Sequence, residues 1–172
     1  IVAKKIVDNS FANSVFFCNS GAEAVEAGIK AIRRYFYLKK SKKYKIICVN
    51  NAFHGRTFAT ISAAGQEKLL DGFAPHLEGF EHVDFNNLEA IKEKVDDTTA
   101  GILIETVQGE GGITPAKKDY LKDLGKFAKE NDCDDGKDIT VQSSMKMVSQ
   151  KCQTKLETGE WQAMTNEQEQ RK

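Results

Sequence analysis

The chain has no surplus of charge: 25 Lys and Arg residues balance 25 Asp and Glu over 172 residues, for a formal net charge of zero. A surface made to hold nucleic acid or an anionic membrane carries a basic excess, and the even mixing here argues against both partners. No apolar stretch approaches the roughly 20 residues needed to cross a bilayer. Cysteines are few, and Cys18, Cys48, Cys133 and Cys152 form no Cys-x-x-Cys pair. That spacing excludes a metal site and the framework of a small secreted disulfide protein, and it reads as reduced thiols in the cytoplasm. Cys18 and Cys48 sit inside apolar runs, where they act as small hydrophobes. Internal repeats, a Gly-x-x-x-x-Gly-Lys phosphate loop and a dinucleotide fingerprint are all missing. An initiator Met is missing too, so the chain is expected to start inside a longer gene product. Its first residues, Ile1 to Val7, read as the end of an amphipathic helix rather than a signal peptide.

What is present is an alternation of short apolar runs with amphipathic segments, in a chain long enough for one domain with a real core. Residues 14–18 read as a strand. From Gly21 to about Lys39 the spacing of Val25, Ile29, Ile32 and Phe36 predicts a helix with one apolar face. Glu23 and Glu26 fall in its first turns, where negative charge suits the helix dipole. A second strand is expected at 44–49, a short helix at 57–64, and an irregular excursion from 65 to 80. A strand follows at 82–85, then a helix marked by Leu88, Ile91 and Val95, capped by Asn86 or Asn87. The continuous apolar run 100–104 suits a strand covered on both faces. Thr114-Pro115 reads as a helix start in cap-then-proline order, with Tyr120, Leu124, Phe127 and Ala128 facing inward. The expected fold class is α/β, a partial, doubly wound, mainly parallel sheet.

Beyond Cys133 the character changes. Six of the eight glutamines and the only tryptophan, Trp161, lie past Asp134, and the aliphatic residues lose their period. Residues 1–133 therefore read as one partial domain. Residues 134–172 read as a divergent or frameshifted tail, poorly ordered and foreign to the fold.

Three segments carry candidate chemistry. In the first, Asn19-Ser20-Gly21-Ala22-Glu23-Ala24, an apolar run meets a glycine and opens a helix. The first amides of such a helix lack intrahelical partners and lie at its positive end, so a phosphate can sit there, and Gly21 has no side chain to obstruct it. The second segment is Ala52-Phe53-His54-Gly55-Arg56-Thr57, just past a strand end, where ligands collect in open α/β sheets. The Arg56 guanidinium can grip a carboxylate with two parallel hydrogen bonds. The third segment, Glu105-Thr106-Val107-Gln108-Gly109-Glu110-Gly111-Gly112, follows the run 100–104.

In this order and spacing the three segments resemble the class III aminotransferases, pyridoxal 5'-phosphate enzymes of fold type I. The likeness covers residues 1 to about 133. It implies that Ser20, Gly21 and Ala22 hold the coenzyme phosphate, chiefly through the Gly21 and Ala22 amides. Phe53 would stack on the coenzyme ring, His54 would be structural or pocket-lining rather than a proton-transfer group, and Arg56 would bind a substrate carboxylate. Glu105 and Gln108 would lie beside the coenzyme, and Glu110 would pair, as a gate, with an arginine near the family's C-terminus. Thr106 stands where the family usually has proline, a minor departure that loosens the loop slightly.

The family's Asp-Glu-Val-Gln, whose aspartate meets the pyridine nitrogen, has no match in this chain, and neither does the Ala-Lys-Gly that carries the Schiff-base lysine. Asp134, Asp135, Lys137 and Lys146 have the chemistry without the context. The resemblance implies a parent reaction that moves an amino group from N-acetylornithine or a related ω-amino donor to 2-oxoglutarate. It places that reaction in arginine biosynthesis, within a cytoplasmic homodimer. For these 172 residues alone the expectation is an inactive fragment, with no catalytic residue assigned. The alternative is a non-catalytic protein of the same fold that binds a phosphate ligand or another protein.

Overall fold

The computed structural model describes residues 1–9, 14–131 and 145–147. Its elements run α1 (Val2–Asp8), α2 (Gly21–Leu38), β1 (Lys45–Val49), α3 (Phe58–Ala64), α4 (Glu67–Leu70), β2 (Phe80–Val83), α5 (Leu88–Lys94), β3 (Thr99–Glu105), β4 (Val107–Gln108), β5 (Thr114–Pro115), α6 (Lys118–Glu130) and β6 (Met145–Met147). The main sheet has the order β2-β1-β3-β6. The first three strands are parallel, with Val49 beside Val83 and Ile47 beside Ile102, while β6 runs antiparallel along Leu103 to Glu105.

The chain leaves β1 through α3 to reach β2 on one side. It then returns through α5 to β3 on the other, which winds the sheet in both directions. Period-two alternation along β1 serves both layers. Ile46 and Cys48 pack with Val25, Ile29, Ile32 and Phe36 of α2 and with Ala59 and Ala63 of α3. Ile47 and Val49 pack on the opposite face with Ile91 of α5 and Tyr120, Leu121 and Leu124 of α6. Every residue of β3 is buried, as its unbroken apolar run predicts.

Local chemistry explains where the helices begin. The Ser20 hydroxyl accepts from the Glu23 amide at 3.2 Å, and the Glu23 carboxylate accepts from the Asn19 amide at 2.7 Å. Together they satisfy amides on both sides of the α2 start. Of the two candidate caps for α5, Asn87 is the one used; its side-chain oxygen accepts from the Ala90 amide at 3.1 Å.

The structure corrects three expectations. Residues 14–18 are not a strand: they have no ladder partner among the described residues, and Phe16 is 80% exposed. Apolar content alone does not make a strand when no neighbour takes its hydrogen bonds. The strand expected at 82–85 lies at Phe80–Val83, because register with β1 decides its bounds and β1 ends at Val49 opposite Val83.

Thr114-Pro115 does not start a helix. It forms the two-residue strand β5 against β4, and α6 begins three residues later with Lys117 at its cap. Pro115 lacks an amide, which a short edge strand tolerates. The next two amides are already engaged, Ala116 with the Thr106 carbonyl at 2.9 Å and Lys117 with the Asn86 side chain at 2.8 Å. The tail 134–172 lies outside the described residues, apart from the backbone of β6.

Candidate functional site

The parallel strands β1 and β3 end at the same edge of the sheet, and α2 starts above that edge. The three segments singled out in the sequence meet there. Gly55, at φ +115°, passes so close to the first turn of α2 that a Cβ on it would lie 2.5 Å from Ala22 Cβ and 3.0 Å from Ala22 Cα. Only glycine allows that backbone conformation and that approach together. The Thr57 hydroxyl donates to the Glu26 carboxylate, a second tie between this loop and α2. Thr57 also caps α3, exchanging hydrogen bonds with Thr60.

The second and third segments join through a buried carboxylate. Glu105, 3% exposed at the end of β3, accepts from the Phe53 amide at 3.3 Å. Burial pushes its pKa up to about 7; the Phe53 amide opposes that rise and nearby Glu110 adds to it. Gln108 is buried and donates to the Asn50 carbonyl at 2.7 Å. The exposed Arg56 has its guanidinium carbon 5.9 Å from the centre of the half-buried Phe53 ring. Glu110 is exposed on the loop between β4 and β5, where the Gly112 and Ile113 amides both reach the Gly109 carbonyl.

Every site residue expected from the sequence therefore lies at this one edge. His54, beside them in the chain, is wholly buried, and burial lowers its pKa to about 4, with His82 adding to the effect. Sequence reasoning missed Asn50, Gln66 and the Glu26–Thr57 bond. The only hint of the first was an asparagine pair directly after a strand.

The ionisation of Glu105 has a measurable consequence. Its folded pKa lies above the ordinary 4.5, so the folded state holds a proton that the unfolded state has released between pH 4.5 and 7. Stability from this group is greatest below pH 4.5 and is lost as pH rises through 7. Glu105→Gln keeps an acceptor for the Phe53 amide and cannot ionise. It is expected to be about 2 kcal/mol more stable than the parent at pH 8 and equal to it near pH 4. Urea denaturation at the two pH values checks this, and an equal difference at both would show that Glu105 ionises freely.

Fold and site thus define an open α/β protein that brings a helix N-terminus, an aromatic ring, an arginine and a buried carboxyl together at one end of its parallel strands. A family model described as aminotransferase class-III matches residues 1–133, and the chain belongs to that family. Acetylornithine aminotransferase 1 of Pseudomonas syringae pv. tomato is 50% identical over 131 residues, which cover 76% of this chain and 32% of the relative. Acetylornithine aminotransferase of Caldanaerobacter subterraneus subsp. tengcongensis is 51% identical over 132 residues, or 76% of this chain and 34% of the relative. The chain spans about a third of the length of these curated relatives.

Among solved structures, the ornithine aminotransferase of Toxoplasma gondii, with PLP at partial occupancy in its active site, matches with a TM-score of 0.71 at 29% identity. That match covers 75% of this chain and 32% of the other. The family depends on pyridoxal phosphate. The residues present fit that group. Against the first turn of α2, an 18-residue helix, lies Gly55, where a Cβ would meet Ala22, and Phe53 stands two residues earlier in the same loop.

Proposed function

We propose that this chain is the coenzyme-anchoring part of an aminotransferase that transfers an amino group from N-acetylornithine, or a related ω-amino donor, to 2-oxoglutarate. The supporting observation is the close passage of Gly55 over Ala22, which brings the phosphate turn and the Phe53–Arg56 loop to one place. When bound, the coenzyme supplies an electron sink for the carbon that exchanges its amino group. The protein's part is to hold and orient. The Gly21 and Ala22 amides and the Ser20 hydroxyl bind the phosphate, where the helix dipole favours negative charge. Phe53 covers one side of the ring and keeps water from it. Arg56 binds the substrate carboxylate, Glu105 and Gln108 order the groups beside the ring, and Glu110 stands at the mouth as the gate. The whole enzyme works as a cytoplasmic homodimer.

These 172 residues do not turn over substrate by themselves, because no lysine in them stands in the family's Schiff-base context. The purified chain should bind pyridoxal phosphate weakly and lose it to inorganic phosphate. It should show no glutamate-dependent amino transfer, and borohydride should fix little coenzyme on any one lysine. Binding that inorganic phosphate fails to displace would refute the anchoring role. A stoichiometric reduced adduct on Lys137 or Lys146 would refute the proposed inactivity.

A further inference from the structure

The turn that carries the chain from β1 to Phe53 donates its Asn51 and Ala52 amides to the Gly65 and Ala64 carbonyls at 3.3 and 3.0 Å, and its own carbonyls are held by two buried glutamines. A chain leaving a sheet loses its ladder partners, so the carbonyls just past the strand end must find donors elsewhere or remain unsatisfied. The Asn50 carbonyl takes the Gln108 side-chain amide at 2.7 Å, and the Ala52 carbonyl takes the Gln66 side-chain amide at 2.6 Å. Gln108 is 4% exposed and Gln66 is 7% exposed. An amide buried to that degree costs stability unless it is hydrogen-bonded, and a glutamine also gives up more rotamer freedom than leucine. Its use at two such positions is explained by what each holds. The next residue along is Phe53, whose own amide is tied to Glu105. The two glutamines come from different elements, one just before α4 and one from β4, so they grip the turn from two sides.

We propose that Gln66 and Gln108 are positioning residues: by holding the carbonyls of Ala52 and Asn50 they fix Phe53 as a platform for a flat, phosphorylated heteroaromatic ring. This inference rests on the functional reading above and deepens it. For Gln108 it specifies action through the backbone of Asn50 rather than through contact with the ring. A platform of this kind must be held within about 0.5 Å to be useful, and fixing the carbonyls as well as the amides of the turn serves that end.

The test is a double-mutant cycle on the full chain, with pyridoxal phosphate and inorganic phosphate as separate probes. Gln66→Met keeps the side chain's shape and removes its donor. It should weaken pyridoxal phosphate binding about fivefold, the size of one hydrogen bond's net contribution, and leave inorganic phosphate unchanged. In a Phe53→Ala background the same substitution should have no further effect. Equal losses for both probes, or an undiminished loss without Phe53, would overturn the proposal.

A parent chain that binds pyridoxal phosphate no better than inorganic phosphate would count against the functional reading itself. Hydrogen exchange then decides the positioning role without any ligand. Gln66→Met should speed exchange at the amides of residues 51–53 and leave those of Ile46 to Val49 unchanged. Uniform acceleration, or none, would overturn it.

Discussion

Gly55→Ala is expected to destabilise the chain by about 3–5 kcal/mol and to remove its affinity for phosphate, since strain and overlap both act at this position. At φ +115° a side chain is strained whatever space surrounds it. Here the added Cβ would also meet Ala22, both at its Cβ and at its backbone Cα. A flexible side chain could turn aside, but the first turn of α2 cannot. That turn must shift, and it is the turn proposed to hold the phosphate. Gly109→Ala is the control: nothing lies within 4 Å of its added Cβ, and it should be neutral within about 0.5 kcal/mol. Denaturant midpoints and phosphate titrations of both variants check the expectation. A Gly55→Ala chain with parental stability and phosphate affinity would mean that the loop and the helix do not touch as described.

Acid should weaken the fold through His54. Burial holds its pKa down to about 4, and the positive field of His82 adds to the effect; burial also lowers His82 itself. Above pH 6.5 His54 is neutral in both the folded and unfolded chain, and the folded state bears no penalty. Between pH 6.5 and 4 the unfolded chain takes up a proton that the folded chain refuses, so stability falls with pH through that window and levels off below it. The expected loss is about 3 kcal/mol. Glu105 works the other way, gaining stability as pH falls from 7 to 4.5, so the parent's pH profile alone would mix the two. The clean measurement is the difference in unfolding free energy between the parent and His54→Gln, in which Glu105 is common to both. That difference should shrink by about 3 kcal/mol from pH 7 to pH 4. A difference independent of pH would mean that His54 reaches water.

Much of the fold is legible in the sequence, because the signals that specify it are local. The i, i+3, i+4 spacing of Val25, Ile29, Ile32 and Phe36 requires only a helix to bring them onto one face, and all four are buried. The run 100–104 has no polar residue to turn toward water, so β3 had to be covered on both sides. Asn87 caps α5 by reaching three residues ahead. The readings that failed depended on partners distant in the chain. Val15, Phe16 and Phe17 have strand composition but no ladder partner among the described residues, and Pro115 left its helical reading because β4 lies beside it.

The candidate site divides along the same line. Gly21 at a helix start, Phe53 and Arg56 past a strand end, and Glu105 with Gln108 after a buried run are residue types at spacings that local rules and family resemblance can read. That the three segments meet was decided only by the tertiary structure. The Phe53 amide reaches Glu105 across 52 residues, the Asn50 carbonyl reaches Gln108 across 58, and Gly55 fits against Ala22 of the helix α2. The pKa values follow the same rule. A glutamate and a histidine look ordinary in the sequence, and they move toward 7 and 4 because the packed sheet and helices take water away from them. The sequence by itself determined which residues are present and which faces they share along one element. Tertiary packing decided which of them touch and in which charge state, because contact and desolvation arise between elements and no local pattern records them.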